Sequence, residues 1–196
     1  MLVVGLGNPG ERYAATRHNV AWRVLDELSW RWRVREDVST PGVYDARRGR
    51  IAGETVDLMW PLTFMNLSGE ALRRWMGEHG AIAEGALLVV TDDVYLAVGS
   101  LRLRTSGSSG GHRGLESLEA ALGRRDFARL RVGVGAAESG ARMKEHVLEA
   151  FGSAEEPIVH GVVQQAADAV ECWALEGIER AMNRFNRRMG KEVPES

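Results

Sequence analysis

Ala86-Leu87-Leu88-Val89-Val90 is the stretch of this 196-residue sequence that decides its fold. A strand that shows one face to water alternates apolar and polar residues, whereas this unbroken apolar run predicts a strand covered on both faces. Strands of that kind occur in sheets that carry helices on either side. The run therefore predicts the central strand of an α/β domain.

The sequence on either side of this run alternates between strand and helix patterns. Strands are predicted at 1–6, 43–50, 55–60, 99–105 and 130–135, and helices at 20–28, 67–79, 114–122, 155–175 and 177–187. The second and third of these strands form a predicted hairpin, and residues 136–146 carry no clear pattern. Strands and helices interleave without a repeat or a linker. We therefore expect one domain at 1–189, with a twisted, mostly parallel mixed sheet flanked by helices, and a loose polar tail at 190–196.

The composition is that of an ordinary soluble globular protein, with 44% hydrophobic and 27% charged residues. No apolar run approaches the length that crosses a bilayer, and the N-terminus does not look like a signal peptide. A single cysteine, Cys172, excludes an internal disulfide and fits a reducing cytoplasm. The net charge of −2 argues against a protein coated in nucleic acid but leaves room for a local basic patch.

Two acidic residues follow the central strand, and a histidine stands in a polar loop beyond the first strand. Asp92 and Asp93 come at the carboxyl end of the central run, where ligands gather in open α/β sheets. His18 stands between Arg17 and Asn19, just before a predicted helix. A neutral imidazole can take a proton from water, so His18 is a candidate general base and Asp92 a candidate orienting carboxylate. A surface histidine and a turn or cap aspartate are the alternative interpretations.

Thr63-Phe64-Met65-Asn66-Leu67-Ser68-Gly69 is a second segment that does not look like plain core. Asn66 is a candidate site carboxamide, but it also stands where the N-cap of the next helix is expected. Phe64 and Met65 are more often core residues than site residues. The helical period predicts four residues on the core face of that helix: Leu67, Leu72, Trp75 and Met76.

Gly5-Leu6-Gly7-Asn8-Pro9-Gly10 matches the G-x-G-x-x-G pattern of dinucleotide-binding strands. In that pattern the third glycine lies in a helix packed on the sheet, whereas here a charged loop follows. The acidic residue expected some way further on should end a second strand, but Asp26 and Glu27 lie inside a predicted helix. The pattern therefore does not favour a nucleotide site, and Asn8 is a candidate polar site residue.

Basic residues cluster around a glycine-rich loop, Gly110-Gly111-His112-Arg113-Gly114. The loop precedes a predicted helix and could receive an anion, or it could be a simple turn. Arg102 and Arg104 share the outward face of one strand, and Arg131 lies on a later strand. Beside a site these arginines would suit phosphates, although a solvated strand face is the common alternative. Three other histidines are predicted on helix surfaces: His79, His146 and His160.

The spacing of ligand-type residues does not favour a metal site. His18, Asp92 and His112 are scattered along the sequence, and nothing resembles H-E-x-x-H. A Ser-His-Asp hydrolase is also poorly supported. We therefore expect neither a metal nor a cofactor.

Taken in order, these segments resemble bacterial peptidyl-tRNA hydrolases over residues 1 to about 187. The resemblance is most specific in the first two segments. The matching residues are 5–10 with Tyr13, Thr16-Arg17-His18-Asn19, 61–69, Asp92, 110–112, 130–135, Asn183, and Phe185-Asn186.

The resemblance implies a monomeric α/β enzyme that hydrolyses the ester between a peptide and the terminal ribose of tRNA, without a metal. It would act in the cytoplasm, in ribosome rescue, and return tRNA to translation. By the same resemblance His18 activates water, Asp92 orients and charge-stabilises His18, and Asn66 holds the water or the reacting carbonyl. Asn8 would read the peptide end and reject free aminoacyl-tRNA. The other implied substrate-binding residues are Tyr13, Phe64, His112, Arg113, Arg102, Arg104 and Arg131.

The sequence also departs from the family pattern at the rim of the implied site. Arg113 stands where the family usually has asparagine, and Thr91 stands where histidine is common. The segment after Asp92 usually holds a second acidic residue and a pair of prolines, whereas here residues 93–99 read Asp-Val-Tyr-Leu-Ala-Val-Gly. A non-catalytic RNA-binding relative of the same fold is the alternative, although pure binding would not need His18 and Asp92.

Overall fold

Seven strands form one sheet in the computed structural model, which describes residues 1–135 and 142–186. They are β1 (Leu2–Gly5), β2 (Glu36–Asp37), β3 (Tyr44–Ile51), β4 (Glu54–Pro61), β5 (Leu87–Asp93), β6 (Leu101–Arg104) and β7 (Ala128–Gly133). Their order across the sheet is β2-β3-β4-β1-β5-β7-β6. Strands β4, β1, β5 and β7 run parallel, and the flanking pairs are antiparallel. The predicted α/β class, the mixed sheet with its parallel centre, and the β3–β4 hairpin are confirmed.

Six helices surround the sheet in the described part of the chain. They are α1 (Val20–Trp32), α2 (Ser68–His79), α3 (Arg113–Leu122), α4 (Met143–Val147), α5 (Glu156–Glu176) and α6 (Ile178–Phe185). Helix α4 falls in the segment for which the pattern predicted nothing, and residues 136–141 and the expected tail at 190–196 lie outside the described residues. None of the described helices is both long enough and apolar enough to span a membrane.

Strand β5 is covered on both faces, as its apolar run predicts. Leu88 and Val90 belong to the core that α1 and α5 cover. Leu87 and Val89 belong to the opposite core, which α2 and α3 cover. All four side chains are buried. Alternate residues therefore pack into two separate cores, which explains why the run contains no polar residue.

Strand β5 and helix α1 both extend beyond their predicted ends. Asp92 and Asp93 are the last residues of β5, not the residues after it, and they pair with Val132 and Gly133 of β7. The polar side chains end the apolar pattern, but the backbone ladder continues through them. Helix α1 continues to Trp32 and ends at a residue with left-handed backbone.

The start of α2 differs from its prediction. Leu67 is 38% exposed and does not face the core, whereas Met65 is buried. Residues Met65–Leu67 form a 3-10 turn, whose tighter winding rotates Leu67 away from the core face. Gly69 lies at the contact with α3, where a Cβ atom would approach the carbonyl oxygen of Ser117 to 2.2 Å. The glycine of this motif is therefore a packing residue that brings α2 and the 3-10 turn close to α3.

Candidate active site

Three residues that are distant in the sequence meet at the carboxyl end of β5. Asp92 Oδ1 lies 2.8 Å from His18 Nδ1 and 2.9 Å from His112 Nε2. His18 lies in the 3-10 turn before α1, and His112 is the residue before α3. The imidazole rings are 5.1 Å apart between centroids and tilted by 50°. The three residues are scattered along the sequence but are neighbours in space, because the order of strands in the sheet brings their elements together.

The hydrogen bonds of His112 determine which of its ring nitrogens carries the proton. Nδ1 accepts the backbone N–H groups of Gly114 at 3.1 Å and Leu115 at 3.3 Å, so His112 caps α3. A nitrogen that accepts hydrogen bonds carries no proton, so the proton lies on Nε2. It points to Asp92 Oδ1 and to Thr91 Oγ1, which is 2.8 Å away. His112 itself thus occupies two N–H groups that an anion at this helix end would need.

The same reasoning determines the tautomer of His18. An ionised carboxylate can only accept, so the Nδ1 atom that contacts Asp92 carries the proton. Nε2 of the neutral ring is then left with a free lone pair. His18 and Asp92 border a cavity of about 290 Å³, together with His112, Arg113 and Lys144 among others. The arrangement orients a histidine that can accept a proton beside a space large enough for part of a substrate.

Burial and charge act in opposite directions on this pair. Burial lowers the pKa of His18, but the charge of Asp92 and the hydrogen bond to it outweigh burial, so the pKa lies above its ordinary value. Burial alone would raise the pKa of Asp92, yet the two imidazoles hold it far below its usual range. Asp92 is therefore ionised at neutral pH and favours the imidazolium form of His18.

The two candidate asparagines are held differently. Asn8 is buried, and its Oδ1 accepts the backbone N–H of Met65 at 2.8 Å. Asn19 bonds both backbone groups of Asn8, at 2.8 and 2.9 Å. Asn66 is exposed in the 3-10 turn before α2, and its side chain bonds to no other described residue. Its interpretation as the N-cap of α2 is wrong, because that helix starts at Ser68 without a side-chain cap.

Arginines line one face of the β6–β7 pair. Arg102 lies opposite Arg131, and Arg104 lies opposite Arg129. Arg102 and Arg104 are exposed and have no ion-pair partner among the described residues. Arg131 borders the cavity, with Nε 3.4 Å from Asp93 Oδ2. We call Arg102, Arg104 and Arg131 the basic edge.

The chain is similar to known proteins over almost its whole length. It matches the family model described as peptidyl-tRNA hydrolase over residues 2–193. It is 43% identical over 190 residues to the peptidyl-tRNA hydrolase of Syntrophomonas wolfei, covering 94% of this chain and 99% of the relative. The corresponding protein of Symbiobacterium thermophilum is 44% identical over 186 residues, covering 94% and 98%. The chain belongs to the peptidyl-tRNA hydrolase family.

A solved structure agrees with this assignment. The crystal structure of peptidyl-tRNA hydrolase from Acinetobacter baumannii has a TM-score of 0.87 against this chain at 34% identity, covering 94% of this chain and 93% of that one. Two of the departures from the family pattern lie beside the cluster of His18, Asp92 and His112. Arg113 is exposed and borders the cavity, and buried Thr91 contacts His112.

Ligand-type atoms of His18, Asp92 and His112 lie within 4.8 Å of one another, close enough to consider a metal ion. A metal on Nε2 of His112 would displace the proton to Nδ1, but Nδ1 accepts two backbone N–H groups. His112 would then have to bind as an imidazolate or give up the cap of α3. The hydrogen bonds therefore favour imidazole rings that direct an N–H group at Asp92, and do not favour a metal centre in this cluster.

Several of the site residues that the resemblance implies do not border this cavity. Phe64 is 51% exposed, so its interpretation as a core residue is wrong. Tyr13 is partly buried, and the guanidinium of Arg12 lies 4.5 Å from its ring centroid. Asn8 and Asn66 also lie outside the cavity lining, although Asn8 is bonded to the segment that carries Asn66.

The sequence patterns did not predict the contacts that hold the segment next to His18. Arg17 is buried, and it bonds the carbonyl of Val134 at 3.0 Å and both carboxylate oxygens of Glu155 at 3.0 and 2.7 Å. His146, expected on a helix surface, is partly buried, and its Nε2 lies 3.0 Å from the carbonyl oxygen of Gly135. No local signal could identify these contacts, because Arg17 and Glu155 are 138 positions apart. His79 and His160 are exposed, as predicted.

Proposed function

We propose that this chain hydrolyses the ester between a peptide, or an N-blocked aminoacyl group, and the terminal ribose of tRNA. The observation that carries the mechanism is the bond from His18 Nδ1 to Asp92, because it leaves Nε2 as a proton acceptor beside the cavity. Family membership supplies the substrate class. We further propose that the chain acts as a monomer in the cytoplasm, in ribosome rescue.

In the proposed reaction, His18 Nε2 takes a proton from water as the water oxygen attacks the ester carbonyl. Ionised Asp92 stabilises the imidazolium that forms. The ester bond then breaks, and His18 returns the proton to the leaving ribose oxygen. The products are the peptide with a free carboxylic acid, which releases its proton to solvent to become a carboxylate, and a tRNA with an intact terminal ribose. No metal takes part.

The carboxamides and arginines are proposed to hold the substrate. Asn66 is exposed with free donors, which suits a bond to the water or to the reacting carbonyl. The Nδ2 group of Asn8 makes no bond to a described residue, so it can donate to the peptide. Arg102 and Arg104 form no ion pair with any described residue, so their charge is available for tRNA phosphates. Such contacts position a nucleic acid without reading its sequence.

The test is release of the blocked amino acid from N-acetyl-aminoacyl-tRNA by protein treated with EDTA. Wild type should release it, and the His18→Ala variant should not. Binding of tRNA without release would favour the non-catalytic RNA-binding alternative. Release that disappears with EDTA and returns with a divalent metal would contradict the metal-independent mechanism.

A further inference from the structure

His112 is the second hydrogen-bond donor to the oxygen atom that holds His18. We propose that His112 is a positioning residue that sets how strong a base His18 is, by sharing Asp92 Oδ1 with it, and that α3 locks His112 in the donating tautomer. The consequence for rate rests on the proposed function. The central claim concerns the titration of His18 in the free protein, and it can be tested without any substrate.

Both donors bond a single carboxylate oxygen. His18 Nδ1 lies 2.8 Å and His112 Nε2 lies 2.9 Å from Asp92 Oδ1, while Asp92 is only 3% exposed. A second N–H on that oxygen stabilises the carboxylate and draws negative charge away from the first donor. His112 thus weakens the attraction of Asp92 for a protonated His18. Its presence keeps His18 more readily deprotonated than Asp92 alone would allow.

Helix α3 makes this sharing permanent. Nδ1 of His112 accepts two backbone N–H groups of the first turn, and this keeps the proton on Nε2. Thr91 competes for the same proton, since its Oγ1 lies 2.8 Å from Nε2. The hydroxyl of Thr91 is itself 3.3 Å from the backbone oxygen of Asp92, so it can donate there and accept from His112. The proton of His112 is therefore divided between Thr91 and Asp92.

Other charges surround the cavity, but a change at His112 leaves them in place. From β5 and β7, Asp93 is paired with Arg131. From the start of α3 and from α4, Arg113 and Lys144 border the cavity. Beside His18 in its own turn, the charge of Arg17 is balanced by Glu155. None of these groups is hydrogen-bonded to His18, so a change in its titration after substitution of His112 reports on the shared oxygen.

Two substitutions separate the two roles of His112. In His112→Asn the side-chain oxygen can still cap α3, but the side chain is too short to donate to Asp92. In His112→Gln the longer amide can place an N–H near the position of Nε2, but the cap is lost. A third variant, Thr91→Val, removes the competing acceptor and leaves the proton of His112 to Asp92 alone.

The measurement is the NMR titration of the His18 ring in the free protein, with the His18→Ala spectrum for assignment, followed by the pH profile of kcat. We expect the His18 midpoint to move to higher pH in His112→Asn, to stay near wild type in His112→Gln, and to move to lower pH in Thr91→Val. The acid limb of kcat should move in the same directions. A displacement of one pH unit would leave about tenfold less deprotonated base on the acid side.

An unchanged or lowered midpoint in His112→Asn would overturn the proposal, as would equal shifts in the asparagine and glutamine variants. Equal shifts would mean that the cap, and not the donor, matters to His18. If His112→Asn does not fold, an upward or absent shift in Thr91→Val overturns the proposal by itself. If the variants show these shifts but the wild-type protein cleaves no peptidyl-tRNA, the proposed function is refuted and the role of His112 is not.

Discussion

The Asp92 cluster and the basic edge carry charge in opposite ways. In the cluster of His18, Asp92 and His112, the shared carboxylate is buried and bonds both imidazoles. At the basic edge, Arg102 and Arg104 are exposed and have no ion-pair partner among the described residues. Proton transfer needs a base held in one orientation, so the cluster suits chemistry. Attraction of a phosphate needs only a positive charge that is accessible to it, so the basic edge suits substrate binding.

Arg129 and Arg104 show the same contrast between two residues that face each other across β6 and β7. Arg129 is 1% exposed and donates to Glu119 at 3.1 Å and to the carbonyl of Ser108 at 3.0 Å. Arg104 is exposed. Two arginines on one sheet face therefore differ in role. Arg129, which α3 and the loop before it cover, is a structural cation, whereas Arg104 is exposed and pairs with no described residue.

The largest effect is expected from removing the base. His18→Ala should lower kcat by about 10²–10⁴-fold, the range that general-base catalysis supplies, and leave tRNA binding nearly intact. The measurement is kcat on N-acetyl-aminoacyl-tRNA together with a separate tRNA binding titration. A variant that keeps more than about a tenth of wild-type kcat would show that His18 is not the base.

Asp92→Asn should cost about a hundredfold in kcat at neutral pH, less than loss of the base, because the imidazole remains. The amide can also bond His18 in the wrong tautomer. In wild type the rate should rise with pH as His18, whose pKa is raised, loses its proton. Without Asp92 only the effect of burial persists, so the acid limb should move to lower pH. A pH profile identical to wild type would rule out the pairing.

Substitution of the two facing arginines should separate stability from binding. Arg129→Ala leaves a largely buried Glu119 with Arg125 as its one ion-pair partner among the described residues, and should lower the free energy of unfolding by about 3 kcal/mol. Arg104→Ala should change it by less than about 0.5 kcal/mol. Urea unfolding of both variants measures the difference. Equal losses would mean that Arg104 is also a structural residue.

The smallest effect is expected from Arg102→Ala with Arg104→Ala. This double variant should raise KM for peptidyl-tRNA and reduce its salt dependence, by about 0.7–0.9 in the slope of log K for each lost phosphate contact. A short substrate, the terminal adenosine with its blocked amino acid, lacks distant phosphates and should be cleaved as by wild type.

Arg33→Ala with Arg35→Ala is the matched control for that variant. Both residues are exposed and lie just beyond the C-terminal end of α1, which is the end away from His18. Their substitution removes the same amount of charge as the Arg102 and Arg104 variant. Their loss should leave KM and the salt slope unchanged. If this control behaves like the Arg102 and Arg104 variant, net charge explains the effect and a phosphate contact does not. Equal losses on long and short substrates would instead assign the arginines to the fold or the chemistry.

Local patterns in the sequence determined the elements and the residue types of the site. The run at 86–90 identified β5 as buried on both faces, and the polar residues after β1 and β5 identified His18 and Asp92 as candidates. These features can be predicted because the burial of a strand determines its pattern of apolar and polar residues, and polar residues mark where the strand ends. The 3-10 turn at Met65–Leu67 broke that period, so Leu67 was misplaced.

Only the tertiary structure decided which side chains share a contact. His18 and Asp92 are 74 positions apart, His112 and Asp92 are 20 apart, and Arg17 and Glu155 are 138 apart. These pairs depend on the order of strands in the sheet and on which helix end reaches β5, and no local period encodes that order. The sequence alone therefore determined that a histidine stands in the loop after the first strand and an aspartate at the end of the central strand. Folding decided that two histidines divide one carboxylate oxygen, because packing of the sheet brings their separate loops to the same strand end.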